Sequence, residues 1–520
     1  MRYQGDRKGS LMGRRSFTRF AALASVVVLA ASACGGSTPT TAPPSAAPSV
    51  APSTAIVAPS PSAVPSTAKP GQIINGHVVV RWFVGLGSGT NPSQMTMEQQ
   101  VVKDFNALQD KTPTGKNGMP IMLSLEIVQN TTATDILKTE LAAHNQPDIV
   151  GPVGVKGRAG FEGEWADITP LAKAAGFDFS AYDPNLLKQL SNSSGVLDGF
   201  PYAVYPSMIF FNKDLFKEAG LKYPPQKVGE QYTMPNGTKV DWTWDTVRKV
   251  AMLLSVDKNG KDATQTGFDP ANQTQFGFDF MWSEGRRMGS DFGSGGFVAA
   301  DGKTAQFPDP WKTAWTWYYN GIWTDHFIAN TTEETSDLLA KGNPPSSGHV
   351  AMAKMFQWYD CCMSASSPSK TIKNWDVAIM PSLNGTISAP MDMDVFSITK
   401  ASPDAQDAFT ALAYIAGRGD LSATYGGIPL VGDQLAFFHK FIDAMLAPQF
   451  PGNVVDWQVA IDMEKYAPAI HHEAPMPNYI KSMDDYSKIW STLGTTKGLD
   501  MNTVFAQVVT ALQADFSAAP

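Results

Sequence analysis

The sequence predicts an α/β protein built on a parallel sheet and divided into two lobes. Three observations carry this. Strand-like and helix-like stretches alternate from His77 onward, the pattern of βαβ units. About 445 residues follow Gly76, more than one hydrophobic core usually holds. After Cys34 only Cys361 and Cys362 remain, adjacent to each other, so no long-range disulfide is available and packing must carry the fold.

Taken in order, His77-Val78-Val79-Val80-Arg81-Trp82-Phe83 is a β-branched run that reads as a buried strand. Glu98 to Leu108 is helical, with Val101, Val102, Phe105 and Leu108 on one face. Ile121 to Val128 alternates like a strand. Thr134 to His144 is helical, and Pro147-Asp148-Ile149-Val150-Gly151 is a short strand. Pro201 to Phe216 is a long strand running into a helix, and Thr243 is placed to cap a helix from Trp244. Asn374 to Pro381 and Val395 to Thr399 read as strands; Pro403 to Ala416 and Thr503 to Gln513 read as helices. Trp242, Trp244, Trp311, Trp315 and Trp317 fall in helical patterns and read as packing. In parallel sheets ligands sit beyond the carboxyl ends of the strands. That rule points to the segments after Phe83 and after Val150.

The N-terminus is a basic cluster, Arg14-Arg15-Ser16-Phe17-Thr18-Arg19, then an apolar run to Leu29, then Ala30-Ala31-Ser32-Ala33-Cys34. A positive region, a short apolar region and small residues form an export signal over residues 1–33, too short to span a bilayer alone. The cysteine after the small residues resembles a bacterial lipoprotein lipobox, which implies a lipid on Cys34 and anchorage to the outer face of the cell membrane. Ala31 stands where lipoboxes usually carry leucine. The Arg14-Arg15-x-Phe17 core resembles a twin-arginine signal, with Gly13 and Thr18 departing from it, so the export route stays open. Either Met1 or Met12 leaves a complete signal. Residues 34–72 are mostly Ser, Thr, Ala, Pro and Gly, with no charge between Cys34 and Lys69. Such a segment stays extended and unpacked, as a stalk must.

The formal charge of the whole chain is −8, but six of the basic residues and one acid precede Cys34, leaving the remainder near −13. That acidity argues against nucleic acid and against adsorption to an anionic bilayer without a lipid.

From the first strand through Pro147-Asp148-Ile149-Val150 to Phe200-Pro201-Tyr202-Ala203-Val204 and Phe211-Asn212-Lys213-Asp214-Leu215-Phe216, the chain resembles the extracellular solute-binding proteins of ABC sugar importers. Gly348-His349-Val350-Ala351-Met352 with Trp358, Ser397 to Ser402, and Met476-Pro477-Asn478 follow in the same order as in that family. The resemblance implies a two-lobed, type II periplasmic-binding-protein-like fold whose hinge the chain crosses near Tyr205 to Ile209 and again near Met391 to Phe396. Lobe 1 is then 73–205 with about 395–450, and lobe 2 is 206–394 with about 451–520. It further implies a monomer that binds a carbohydrate, performs no chemistry, needs no cofactor, and delivers its solute to ABC permease subunits and their ATPase.

A sugar has apolar faces that aromatic rings cover and a hydroxyl rim that carboxylates, amides and backbone groups bond. Trp82 and Phe83 end the first strand, and Pro152 follows the Val150 strand. By family position Tyr205 lies at the hinge, Trp282 and Glu284 fall in the acidic-aromatic segment, and Trp358 and Tyr359 follow Ala351-Met352. Tyr479 or Tyr486 would supply a last ring, and Asp392 and Asp394 alternate along a strand as hydroxyl acceptors. After Phe83 the chain reads Val84-Gly85-Leu86-Gly87-Ser88-Gly89, without the charges of maltose-binding members, which puts maltodextrin in doubt; as a nucleotide fingerprint this glycine run lacks the spacing. Asp257 to Asp262 lacks a calcium-loop glutamate and reads as a solvated turn. His471-His472-Glu473 lacks zinc-site spacing, so no metal is expected. Adjacent cysteines close only a strained eight-membered ring, so Cys361-Cys362 is either a pair of free thiols or a vicinal disulfide. Two other readings stay open: the same fold binding a polyamine or polyol, and an anchored glycoside hydrolase, which also needs aromatics and paired carboxylates.

Overall fold

The computed structural model describes residues 68–518, apart from 183, 193, 282 and 283. Cys34, the export signal and most of the stalk therefore lie outside the described residues, as does Trp282. Strand β1 (His77–Val84) pairs in parallel with β2 (Ile121–Ile127), joined to it through α1 (Pro92–Lys111). Pro92 and the reciprocal Asn91–Gln94 capping box start α1, satisfying donors that a helix N-terminus otherwise leaves open. Helix α2 (Ala133–Ala142) leads to β3 (Ile149–Gly154), which lies parallel to β1 on its other side. Val80, Trp82, Phe105 and Ile149 share one core; Phe83, Leu137 and Phe161 fill a second on the opposite face. A central parallel strand is buried on both faces, which is why β1 reads as an unbroken apolar run.

Strand β4 (Phe200–Asn212) is buried along its whole length. Past α3 (Trp244–Leu253), α4 (Gly285–Phe292) and α5 (Asp309–Trp323), the chain forms β5 (Met352–Phe356), β6 (Trp375–Ala378) and β7 (Met391–Ile398). The first half of β4 pairs antiparallel with β7, whereas Ser207–Asn212 pairs with β5 and β6. The exchange falls at Pro206, which has no N–H to give a ladder; Ser207 then bonds the Pro390 carbonyl through both its N–H and its hydroxyl. On its other edge β7 pairs with β3. Helix α6 (Ala405–Ala416) packs Phe409, Leu412 and Ile415 into the same core as Trp82.

The larger core is aromatic. Thr243 caps α3 by accepting from the Thr246 N–H, and Trp244 stacks on Phe292 at 4.1 Å and 10°. Trp311 and Trp315 of α5 are fully buried, and their indole N–H groups donate to the carbonyls of Gly293 and Gly285. Near the C-terminus α7 (Tyr479–Ser491) and α8 (Met501–Ser517) close this core with Tyr486, Val508 and Leu512. Lys354 and Asp291 form an ion pair at 2.8 Å with both side chains wholly buried. Burial pushes the Asp291 carboxyl up to about 7, against the pull of Lys354. No helix among the described residues is long and apolar enough to cross a membrane.

Candidate functional site

A cavity of about 510 Å³ opens beyond the carboxyl ends of β1 and β3. Leu86 to Gln94 forms one wall, Gly154 and Gly157 another, and Tyr205, Asp392 and Asp394 come from the paired strands β4 and β7. Trp358, Cys361 and Cys362 enter from the turn after β5, Arg287 from α4, and Tyr425 and Glu473 from later loops. The glycine run after β1 matters here. Gly89 has φ +87°, and a Cβ there would press on Val84 and lie 2.8 Å from the Glu98 carboxylate. Only glycine lets this loop turn so tightly over α1, and the turn presents Ser88, Thr90 and Asn91 to the cavity.

Asp392 is the polar centre. Its Oδ2 accepts from Arg287 Nη2 at 2.8 Å and from the Trp358 indole N–H at 2.7 Å; its Oδ1 lies 2.5 Å from His472 Nε2. The Arg287 guanidinium also sits 5.4 Å from the Phe356 ring centre and 5.7 Å from that of Trp358, within cation–π range. Burial works against the Arg287 charge, but Asp392, Glu284 and Glu473 raise its pKa above the ordinary value. Two strand positions along, Asp394 accepts from the Tyr205 hydroxyl at 2.8 Å. This is a diagonal cross-strand pair, since Tyr205 stands opposite Asp392. Burial, with Asp392 nearby, raises Asp394 to about 7. Behind the glycine loop Tyr425 donates to Glu98 at 2.5 Å, and burial lifts Glu98 to about 8. The Arg287 guanidinium on the cavity wall is thus matched by carboxylates, beside a rim of hydroxyls, amides and acids and the Trp358 indole face.

The expected site residues divide. Tyr205, Trp358 and Asp392 line the cavity, as do Cys361 and Cys362. Trp82 does not: it is fully buried, with its N–H donating to the Gly151 carbonyl at 2.7 Å. Phe83 points to the opposite core, as alternation along a strand requires. The Pro152 carbonyl accepts from the Ser88 hydroxyl and so holds the glycine loop. Glu284 caps α4 by accepting from the N–H groups of Arg286 and Arg287. Tyr359 is buried beside Ser346 and Asn343, and Tyr486 is buried against Phe297 at 5.3 Å. Tyr479 begins α7, and burial raises its hydroxyl pKa. Arg287, Tyr425 and Gln94 line the cavity without having been singled out, and Glu473, weighed from the sequence only as a metal ligand, lines it too. Arg287 carried no motif, and Tyr425 and Glu473 are brought in by loops far away in sequence.

Asp392, His472 and Glu473 bring metal-ligand atoms within 4.8 Å of one another. Arg287 already supplies positive charge at Asp392, so the trio reads as part of the polar wall. Cys361 and Cys362 are thiols with their sulfurs 2.9 Å apart. A second cavity of about 540 Å³ shares Glu473 with the first and is walled by Trp165, His471 and the Arg158–Asp198 ion pair. Burial lowers His471 to about 4, keeping it neutral. At Asp257 to Asp262 the Asp257 carboxylate accepts from the N–H groups of Asn259, Lys261 and Asp269, a self-satisfied turn.

A two-lobed solute-capture fold with a polar, indole-walled cavity defines the class. The bacterial extracellular solute-binding protein family profile matches residues 100–428, and the chain belongs to that family. A search of curated proteins finds no match. Among solved structures the chain is similar to the ABC substrate-binding protein Lmo0181 from Listeria monocytogenes in complex with cycloalternan, at 15% identity and TM-score 0.60 over 84% of this chain and 98% of that one. It is also similar to the sugar-binding protein MalE from Xanthomonas citri, at 14% identity and TM-score 0.60 over 85% and 98%. UgpB from Mycobacterium tuberculosis in complex with glycerophosphocholine is similar at 15% identity and TM-score 0.59 over 84% and 98%. At such identities the likeness speaks to the fold, which is the two-lobed one.

Proposed function

We propose that the protein is a lipid-anchored receptor that captures a sugar or oligosaccharide and delivers it to an ABC permease and its ATPase, without chemistry of its own. The carrying observation is Trp358. Its ring lines the cavity while its N–H is fixed on Asp392, beside Asp394, Gln94 and Asn91 as hydroxyl partners. That is an apolar plate next to a polar rim, the arrangement a pyranose needs. Relatives described with cycloalternan or as sugar-binding support the reading. In this reading 1–33 is an export signal, Cys34 carries the lipid, 34–72 is the stalk, and the receptor works as a monomer on the outer face of the membrane. Lobe 1 is 73–205 with about 395–450 and lobe 2 is 206–394 with about 451–520. The exchange of partners by β4 at Pro206 supports the first boundary.

A polyol or amine-bearing solute is the second reading. It is favoured by Asp394 and Glu473 on the cavity wall and by the relative that holds glycerophosphocholine. A thermal-shift screen of neutral sugars, polyols and polyamines separates the two, because a ligand bound only by the folded state raises Tm. A shift confined to polyamines would overturn the sugar reading. New reducing ends on incubation with oligosaccharides would instead make the protein a glycoside hydrolase.

A further inference from the structure

We infer that Cys361 and Cys362 form a reversible thiol–disulfide site in the wall of the solute cavity, reactive towards small neutral disulfides. Both side chains line the cavity, both are partly exposed, and their sulfurs lie 2.9 Å apart. They end the turn Gln357–Cys361, which also presents Trp358. After Cys34 the chain has no other cysteine.

The two sulfurs are unequal. Cys362 is held below the ordinary thiol value, chiefly by the hydrogen bond it shares with Cys361 and further by Lys370. That same hydrogen bond, with burial, pushes Cys361 well up. The thiolate is the attacking species, so Cys362 is the nucleophile and Cys361 the resolving thiol. Cys362 loses its proton to solvent and attacks one sulfur of a disulfide RSSR, giving a Cys362–SR mixed disulfide and RS⁻. The Cys361 sulfur then attacks Cys362, expelling a second RS⁻, which takes up the Cys361 proton. Two protein thiols are oxidised to one disulfide and RSSR is reduced to two RSH. A small thiol reverses both steps. Closing the ring ties the turn at its end and so acts on Trp358; the consequence for capture rests on the proposed function, while the thiol chemistry does not.

The probe is bis(2-hydroxyethyl) disulfide, small and uncharged, applied to the full-length protein over a range of ratios to 2-mercaptoethanol. After alkylation, trypsin releases Met355–Lys370 as one peptide containing both cysteines and no other. The expected result is an unlabelled peptide lighter by two hydrogens under oxidising ratios, and a doubly labelled one under reducing ratios. Cys361→Ser should trap the mixed disulfide on Cys362, and Cys362→Ser should react far more slowly. Oxidation should also quench tryptophan emission in the wild type, reversibly, and much less in Trp358→Phe. Two labels at every ratio would overturn the site. An equal rate for the two serine variants would overturn the assigned roles, and quenching that persists fully in Trp358→Phe would overturn the link to the cavity. None of these readouts needs a bound solute, so a protein that cycles its thiols but shifts with no sugar refutes the sugar reading alone.

Discussion

Replacing Trp358 by alanine tests the cavity most directly, because its costs to folding and to binding separate. On the folding side, the indole donates one hydrogen bond to Asp392 and carries Arg287 over its face at 5.7 Å. Asp392 keeps Arg287 and His472, so the carboxylate is not stranded. One hydrogen bond at about 1 kcal/mol, one partly exposed cation–π contact at about 0.5–1 kcal/mol and the half-buried ring's packing on Phe356 at about 1–2 kcal/mol put the loss of stability near 3 kcal/mol, tolerable for a core of this size. On the binding side, losing an aromatic anchor costs about 1–3 kcal/mol, which is roughly 5- to 150-fold in Kd. Trp358→Phe keeps a ring without the N–H and should recover most of the affinity. Titration calorimetry, with the solute giving the largest thermal shift, reads the affinity; urea unfolding reads the stability. An unchanged Kd in a folded Trp358→Ala protein would return this side chain to the core and remove the observation on which the proposed function stands.

Arg287→Met should destabilise the fold by about 3–5 kcal/mol in urea unfolding, since it breaks a buried ion pair with Asp392; Arg287→Lys should recover part of this. Glu98 sits at about 8 in the folded protein against an ordinary value of 4.5, so the folded state holds a proton that the unfolded chain has released. Its contribution to stability is therefore full below about pH 4.5 and is lost as pH rises towards 8, with a slope of up to about 1.4 kcal/mol per pH unit. Glu98→Gln should flatten the pH dependence of Tm across that window, and an unchanged slope would refute the assignment. Cys34→Ser should move the protein from the membrane fraction to a soluble one or leave it unprocessed; a processed mutant that stays with membranes would exclude the lipid.

Elements were legible where one period dominated. The run His77 to Phe83 reads as a buried strand and is one, whereas the helix read from Glu98 begins at Pro92, because its capping box lies ahead of the apolar pattern. The position of the cavity was legible too, because the carboxyl ends of parallel strands fix it. Individual side chains were not. Trp82 and Phe83 stand at the right end of β1, but a strand inside a sheet covered on both faces sends alternate rings into two cores and none into the cleft. The apolar run showed that both faces are covered, but not that the two rings at its end stay inside the cores instead of reaching the cleft. Arg287 was hidden for a different reason: its role depends on Asp392, more than a hundred residues away, and on a turn around Phe356 that brings rings beneath it.

The hydrogen-bond partners of Asp392 and Asp394 also say how capture could be coupled to movement. Both carboxylates lie on β7, opposite the half of β4 that precedes its change of partners at Pro206. Tyr205, one residue before that change, holds Asp394 by its hydroxyl. A solute hydroxyl that accepts from Tyr205 or donates to Asp394 must compete with this bond, and so acts on β4 just before it changes partners. Ligand energy can bias a two-state equilibrium only by the difference in its contacts to the two states. Contacts to a rigid outer wall would give little difference. Contacts at Tyr205 would give more, because the residues of β4 just beyond it are where its partners change from β7 to β5 and β6. Tyr205→Phe separates these cases: if the crossing strands transmit binding, it should alter the solute-induced change in small-angle scattering radius more than it alters Kd. Equal effects on both would leave Tyr205 as a contact and nothing else.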